Sequence, residues 1–186
     1  TSAIAVDTSA FEISKCATDC LFCDEFEDGI LNPQWTYKSS WNENGGALIS
    51  NPKSRAIAIA APIFAGCSSC SVETALLSNG NGKVTFLSWF QDKKNTLELI
   101  MDEAKDKWVF KRKLNGKLVN KLKASRTIDP NQSYAVGMMY DGNSWRVFIN
   151  GEFLFEIFNT FGGTPSGTIG LKVRSTTAAM DYIHVN

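Results

Sequence analysis

The sequence has a single histidine, His184, and no net charge, because 19 basic residues balance 19 acidic ones. A catalytic triad needs a general base beside its nucleophile, and one histidine near the C-terminus is a poor candidate for that base. We expect His184 to be an exposed or edge-strand residue. A neutral chain also has no overall field that would draw it to nucleic acid or to an anionic membrane. Triad hydrolases and charge-driven nucleic-acid binders are therefore disfavoured.

Long apolar runs and helical periodicity are scarce as well. The apolar stretch from Arg55 to Ala65 is short and Pro62 interrupts it, so no membrane insertion is expected. Instead, about fourteen short apolar or alternating segments are separated by turn sequences such as Asn115-Gly116 and Asn150-Gly151, which is typical of β-hairpins. The pattern predicts an all-β protein, a two-sheet antiparallel β-sandwich, in one domain over residues 20–186.

Residues 1–19 precede the first clear strand and are predicted to form an N-terminal arm. Ala3 to Asp7 and Phe11 to Ile13 have strand character. The arm is expected to be an extra edge strand, or a segment held by Cys16 or Cys20. The alternative is a strand lent to a neighbouring subunit, which would give self-assembly through residues 1–15.

The number of cysteines is odd. The candidates for disulfide bonds are Cys16, Cys20, Cys23, Cys67 and Cys70. Two bridges and one spare thiol would indicate a secreted or cell-surface protein. The rival interpretation is a zinc site built by the two C-x2-C pairs, although their long separation in the chain is unusual for such a site.

Several segments together indicate a family. They are Phe22 to Gly29 with Asn32 to Trp35, Gly45 to Leu48, Tyr140 to Gly151, Gly167 to Leu171 and Asp181 to Ile183. In this order and spacing the chain resembles the concanavalin A-like lectin/glucanase superfamily, which includes laminin G-like domains, carbohydrate-binding modules and laminarinase-type glucanases. The acidic opening segment and the single carboxylate of the last strand predict that the first and last strands lie side by side.

The resemblance does not extend to the catalytic residues of the glucanases. Those enzymes carry a Glu-x-Asp-x-x-Glu strand motif, and the nearest stretch here, Glu98 to Glu103, has Ile100 at the position of the middle aspartate. A retaining glycosidase needs two carboxyl groups about 5 Å apart. We therefore predict that the protein is not an enzyme.

The resemblance also implies a structural calcium ion that joins the two ends of the domain. Its expected ligands are Glu27 or its neighbour on the opening segment, Gly46 after the early hairpin and Asp181 on the last strand. Carboxylates and backbone carbonyls are the ligands that Ca²⁺ prefers. The alternative is that these residues are ordinary solvated edge residues.

Strand alternation gives a candidate sugar-binding surface. If Val84, Phe86 and Phe90 face the core, Trp89 faces outward, and the same reasoning applied to neighbouring strands turns Glu98, Lys111 and Arg174 outward. These four residues would form a mixed platform, with aromatic stacking for a sugar ring and polar groups for its hydroxyls. Trp41, in a polar loop, is an alternative aromatic contact. Core packing or surface salt bridges would account for the same residues.

A basic stretch flanks the Asn115-Gly116 hairpin, with positive charges from Lys111 to Arg126. Such charges discourage edge-to-edge strand pairing, and they could also bind acidic glycans. Nucleic acid is disfavoured because no aromatic residues interleave to stack on bases. The sequence thus predicts a secreted, non-catalytic, lectin-like domain that recognises a glycan or polysaccharide. The alternative is a structural subunit of an extracellular assembly or filament that uses the N-terminal arm.

Overall fold

The structure, a computed structural model, describes residues 20–37, 41–51, 56–59, 63–65, 67–80, 82–160 and 165–186. Nearly all of the predicted arm, including the self-assembly segment 1–15, lies outside the described residues. The described strands are β1 Phe22–Asp24, β2 Trp35–Tyr37, β3 Trp41–Glu43, β4 Leu48–Ser50, β5 Ala56–Ile59, β6 Cys70–Ser78, β7 Lys83–Phe90, β8 Thr96–Asp102, β9 Lys107–Leu114, β10 Lys117–Ser125, β11 Ser133–Tyr140, β12 Ser144–Ile149, β13 Glu152–Phe158, β14 Thr168–Arg174 and β15 Ala178–Val185. One 3-10 turn, Glu103–Lys105, joins β8 to β9. Across these ranges, no helix is long and apolar enough to cross a membrane.

The strands form two antiparallel sheets, as the sequence predicts. One sheet has the order β13-β12-β11-β6-β15-β4-β3, with β1 also paired to β15, and the other has the order β10-β9-β8-β7-β14-β5-β2. We refer to them as the eight-stranded and seven-stranded sheets. The expectation that the first and last strands are neighbours is confirmed, since Phe22 pairs with Val185 and Asp24 with Ile183.

The core lies between the two sheets and is built by alternate residues of each strand. In the seven-stranded sheet, Phe86, Leu99 and Phe110 are fully buried on the inner face. The eight-stranded sheet contributes Met138 and Val147, which are equally buried. Alternation along each strand therefore leaves the other side chains of the seven-stranded sheet on its outer face.

The prediction that Trp89 faces outward is wrong, because β7 contains a bulge. Leu87 pairs with Gly170 but Phe90 pairs with Thr168, so β7 has one extra residue at this point. Trp89 has a φ of 45°, is only 4% exposed, and stacks on Phe64 with ring centroids 4.2 Å apart. A bulge reverses the alternation beyond it. Trp89 therefore belongs to the aromatic core.

Trp41 is not a loop residue either. It lies in the short strand β3, paired with Ser50, and is 5% exposed. Within β3, Trp41 and Glu43 are buried while Asn42 is exposed. The polar residues around Trp41 suggest a loop, but they belong to a three-residue strand whose alternate side chains are buried. The tryptophan ring is therefore unavailable for stacking on a sugar.

His184 is neither exposed nor on an edge strand. It is 5% exposed and lies on β15 between Cys23 of β1 and Glu73 of β6. Its Nε2 is 3.0 Å from Glu25 Oε1. The histidine thus links the first strand to the last.

The predicted disulfide chemistry is found at three of the five cysteines. Cys67 and Cys70 are bonded to each other, and Cys23 is also disulfide-bonded. Cys20 is a free, half-buried thiol, and Cys16 lies outside the described residues. The zinc alternative is wrong, because three of its four cysteines carry no thiolate.

Candidate functional site

The outer face of the seven-stranded sheet carries a concentrated positive charge. Strand register aligns its side chains in three rows that cross the strands in the order β14, β7, β8, β9 and, for two of the rows, β10. The first row is Arg174, Lys83, Asp102 and Lys107. The second row is Lys172, Thr85, Ile100, Val109 and Lys123, and the third is Gly170, Leu87, Glu98, Lys111 and Lys121. Lys113 lies beside the third row, bonded to Glu98. We call this surface the lysine face. It holds eight basic and only two acidic side chains, in a chain whose total charge is zero.

Both carboxylates of the lysine face are already neutralised. Asp102 is 2% exposed, and its Oδ2 lies 2.9 Å from Lys83 Nζ and 3.7 Å from Lys107 Nζ. Glu98 Oε1 accepts a hydrogen bond from Lys113 Nζ at 3.1 Å. Five basic residues of the lysine face have no ion pair with any described residue: Lys111, Lys121, Lys123, Lys172 and Arg174. The face therefore presents uncompensated cations to solvent.

The floor of the lysine face is apolar. Leu87, Ile100 and Val109 are buried although they point away from the other sheet. Lysine stems can cover apolar surface while their ammonium groups stay in water. A shallow cavity of about 120 Å³ remains above this floor, bordered by Lys107, Lys111 and other lysines of the rows. The arrangement is a groove with an apolar base and cationic walls.

Lys111 is one of the lysines that border this groove. Burial lowers the pKa of the Lys111 ammonium, Glu98 opposes that shift, and the surrounding lysines add to it. A lysine loses protons more readily where its positive charge is poorly solvated and repelled by like charges. An anion bound in the groove would relieve both effects, so the electrostatics of Lys111 favour an anionic ligand.

The structure brings together three of the predicted binding residues. Glu98 and Lys111 are direct cross-strand partners, and Arg174 lies in the first row of the same face. The two tryptophans of the prediction are in the core. The residues that sequence reasoning missed are Lys83, Asp102 and Lys107, and extending the same alternation to the ends of β7, β8 and β9 would have found them.

The predicted calcium ligands lie at the opposite edge of the fold, where two of them are adjacent. A Cβ atom on Gly46 would lie 3.1 Å from Glu27 Oε1, so the carboxylate rests directly against this glycine, whose φ is +76°. Asp181 is exposed on β15, two residues before the partner of Asp24. A carboxylate beside a bare backbone suits Ca²⁺, so the pair formed by Glu27 and Gly46 fits the ion.

Another potential metal site can be dismissed. Among the described ranges, the one group of three possible ligands within 4.8 Å of one another is Cys23, Glu25 and His184. Since Cys23 is disulfide-bonded, it has no thiolate to offer a metal. The calcium site at Glu27, Gly46 and Asp181 remains a prediction.

Asp24 and Asp28 flank Glu27 in the chain, and both interact electrostatically with Glu43. We call Asp24, Glu27, Asp28 and Glu43 the acidic corner. Asp24 Oδ2 accepts a hydrogen bond from Trp35 Nε1 at 2.9 Å, and Glu43 Oε1 accepts one from the backbone of Gly29 at 2.8 Å. Burial raises the pKa of Asp24, and burial together with Asp28 raises that of Glu43. Because these negative charges lie close together, the binding of a proton or of a cation is favourable at this corner.

No protein-family model matches the chain, and no curated protein matches its sequence. Solved structures do resemble it. They include a glycosyl hydrolase family protein from Mycobacterium fortuitum, with a TM-score of 0.70, 12% identity and coverage of 90% of this chain and 100% of that one. A β-glucanase from Bacillus licheniformis matches with a TM-score of 0.67 and 11% identity, over 89% of this chain and 97% of that one. Carbohydrate binding module CBM66 from Bacillus subtilis matches with a TM-score of 0.61 and 18% identity, over 82% of this chain and 95% of that one.

At these identities the likeness establishes the fold alone. The chain has the concanavalin A-like jelly-roll sandwich, as the sequence resemblance predicts. Both a binding module and glucanases have this architecture, so the fold by itself does not separate binding from hydrolysis. That distinction has to come from the side chains of the lysine face.

Proposed function

We propose that this protein is a secreted, non-catalytic carbohydrate-binding domain whose lysine face recognises an acidic polysaccharide. The observation that carries the proposal is the concentration of eight basic side chains on one sheet face of a neutral chain. Carboxylate and sulfate groups accept charge-assisted hydrogen bonds from ammonium and guanidinium groups. A repeating polyanion would meet successive rows of cations along the groove.

Carbohydrate is favoured over other polyanions by two observations. The fold is shared with a protein described as a carbohydrate binding module and with a β-glucanase. In addition, no side chain in the three rows of the lysine face is aromatic, whereas proteins that bind single-stranded nucleic acid stack bases on aromatic rings. The apolar floor at Ile100 and Val109 instead suits the C-H face of a sugar ring.

The absence of catalysis is supported by the spacing of the two carboxylates on the lysine face. Glu98 and Asp102 are four residues apart on β8, which corresponds to about 13 Å along a strand. Retaining glycosidases hold their carboxyl groups about 5 Å apart and inverting ones about 6.5–9.5 Å apart. Ile100 occupies the position between them, and each carboxylate is held by lysine. This pair is unsuited to glycoside hydrolysis.

Secretion is supported by cysteine chemistry. The Cys67–Cys70 bond and the disulfide at Cys23 suit an oxidising compartment. The alternative of an extracellular assembly depends on residues 1–15, which lie outside the described residues, and no described contact favours it.

The proposal is tested by measuring affinity for polygalacturonate, for a sulfated polymer such as heparin, and for a neutral β-glucan of similar length. We expect both acidic polymers to bind and the neutral one to bind at least about tenfold more weakly, with affinity falling as salt rises because salt screens the charges. Whichever of uronate and sulfate binds more tightly identifies the anionic group.

Two variants locate the surface. Lys111→Gln should weaken binding of the acidic polymer by about tenfold, since one charged contact is lost. The matched control is Lys93→Gln, which removes the same charge from the exposed turn between β7 and β8 and should leave affinity unchanged. Equal binding of the neutral glucan, or equally tight binding of duplex DNA, would overturn the proposal.

A further inference from the structure

The chain contains five Asn-Gly pairs, which begin at Asn44, Asn79, Asn81, Asn115 and Asn150. In such a pair the backbone nitrogen of the glycine can attack the side-chain carbonyl carbon of the asparagine, because glycine has no Cβ atom to hinder the approach. Asn81 lies outside the described residues. The other four asparagines are all exposed, so exposure alone does not distinguish them.

Two of these four asparagines are held by hydrogen bonds to their side chains. Asn150 Oδ1 accepts a hydrogen bond from the backbone nitrogen of Ala135 at 2.9 Å. Asn79 Oδ1 accepts one from the backbone nitrogen of Thr177 at 3.1 Å and one from the Thr176 hydroxyl at 3.3 Å. Each side chain is thus turned toward a neighbouring segment, and it has to give up these bonds before its carbonyl carbon can rotate onto the glycine nitrogen.

The pair at Asn115 is restrained at the attacking atom. The backbone nitrogen of Gly116 donates a hydrogen bond to the Lys94 carbonyl oxygen at 2.9 Å. The backbone nitrogen of Asn115 also donates one, to Asn95 Oδ1 at 2.9 Å. The glycine nitrogen must lose its proton to act as a nucleophile, and a proton that is shared with a carbonyl group is harder to remove. The hydrogen bond therefore slows attack at this pair.

The pair at Asn44 has neither kind of restraint. It lies in the turn between β3 and β4, which is closed by a hydrogen bond from the Asn44 backbone nitrogen to the Ala47 carbonyl oxygen at 3.0 Å. Neither the side-chain amide of Asn44 nor the backbone nitrogen of Gly45 forms a hydrogen bond with any described residue. Gly45 and Gly46 have φ values of 61° and 76°, and neither has a Cβ atom to limit rotation. Among the four described pairs, both reacting groups are therefore available only here.

We propose that Asn44 is a site of spontaneous deamidation, at which the folded protein gains a negative charge as it ages. The Gly45 nitrogen attacks Cγ of Asn44, a new C–N bond forms, and the side-chain nitrogen leaves as ammonia with the proton of the Gly45 nitrogen. Water then opens the resulting succinimide ring, which yields aspartate or isoaspartate. The new carboxylate follows Glu43 of the acidic corner directly in the chain. This inference does not depend on the lysine face or on its ligand.

The test is to incubate the intact protein at mildly alkaline pH and to follow each asparagine by peptide mapping, since mass spectrometry detects the exchange of the amide for a carboxyl group. We expect Asn44 to react at least about fivefold faster than Asn79, Asn115 or Asn150, because a hydrogen bond that must first be broken slows a reaction by about that factor. In the same protein unfolded in urea the folded-state hydrogen bonds are lost. The four rates should then converge.

Asn44→Gln removes the site, because glutamine would have to close a larger and less favourable ring. Ion-exchange chromatography of the aged variant should no longer show the main acidic species that the wild type forms. The matched control is Asn42→Gln, which changes an exposed asparagine of β3 that no glycine follows and should leave that species unchanged. Thermal melting verifies that both variants are folded.

Three results would overturn the proposal. The first is an Asn44 that stays intact in the folded protein over the time in which it reacts in urea. The second is a rate at Asn79, Asn115 or Asn150 that equals the rate at Asn44 in the folded protein. The third is an order of rates that persists in urea, since the local sequence and not the fold would then select the site.

Discussion

The lysine face and the acidic corner carry opposite charges at separate places on one neutral molecule. On the face, Lys111, Lys121 and Lys123 point outward without ion pairs to described residues. At the corner, Asp24 and Glu43 turn inward and accept hydrogen bonds from an indole and from the backbone. Net charge therefore says little about local field, because charges that cancel over the chain need not cancel over any one surface.

The two regions also differ in how their charges are held. Short carboxylates at the corner are fixed by donors 2.8–2.9 Å away, which suits coordination of a small ion. Long lysine side chains on the face cover an apolar floor and keep their ammonium groups free to adjust, which suits a flexible polymer. The comparison thus predicts a cation at the corner and an anion on the face.

Calcium should produce the largest effect, and only at the corner. If Glu27, Gly46 and Asp181 bind Ca²⁺, calcium at about one hundred times its Kd should raise the free energy of unfolding by about 2.7 kcal/mol. Glu27→Gln should abolish the increase, whereas Asp129→Asn, which removes an exposed carboxylate elsewhere, should not. Chemical denaturation with calcium and with EDTA measures the difference. Identical curves for the wild type in both conditions would rule the site out.

Charge reversal on the face should have the next largest effect, and only on polymer binding. Lys121→Glu combined with Lys123→Glu replaces two exposed cations of β10, and we expect affinity for polygalacturonate at low salt to fall between about tenfold and a hundredfold. Lys93→Glu with Lys105→Glu gives the same net charge away from the rows and serves as the control. Equal losses from both pairs would mean that total charge, and not the lysine face, governs binding.

Much of this comparison can be read from the sequence, because it depends on strand alternation. Lys83–Phe90 and Ala178–Val185 are regular strands over most of their length, and Glu98 and Lys111 share the predicted outer face. Period-2 alternation is a local property of an extended chain, so it can be read from the sequence wherever a strand is free of bulges.

The tryptophans were mispredicted for a physical reason. Trp89 follows a bulge, and a bulge changes the facing of a side chain without changing the apolar pattern. The signal for it lies far along the chain at Gly167, where a Cβ atom would come within 2.5 Å of the Trp89 carbonyl carbon. Trp41 lies in a strand of three residues, which is too short to show a period. Pairing between strands that are distant in the sequence determines which way both side chains face, and the local sequence pattern carries no information about that pairing.

Removing a negative charge from the face should separate stability from binding. Asp102→Asn leaves Lys83 and Lys107 without their shared carboxylate, and we expect the free energy of unfolding to fall by about 1–2 kcal/mol. Polymer affinity should rise a few-fold, because two cations are released to the ligand. Glu152→Gln breaks an exposed ion pair with Arg126 and should cost less than about 1 kcal/mol. A fall in polymer affinity for Asp102→Asn would contradict the proposed role of the face.

The smallest expected effect is at the corner. Burial raises the pKa of Glu43 above its ordinary value of 4.5, so the folded protein holds this proton more tightly than the unfolded chain does. Stability is therefore lost as pH rises from about 4.5 through the folded pKa. Glu43→Gln keeps an acceptor for Gly29 and removes the charge beside Asp28. We expect the variant to match the wild type near pH 4 and to exceed it near pH 7 by a few tenths of a kcal/mol, the scale of a like-charge pair. Urea unfolding at both pH values measures this difference, and a variant less stable than the wild type at pH 7 would show that the corner prefers its full negative charge.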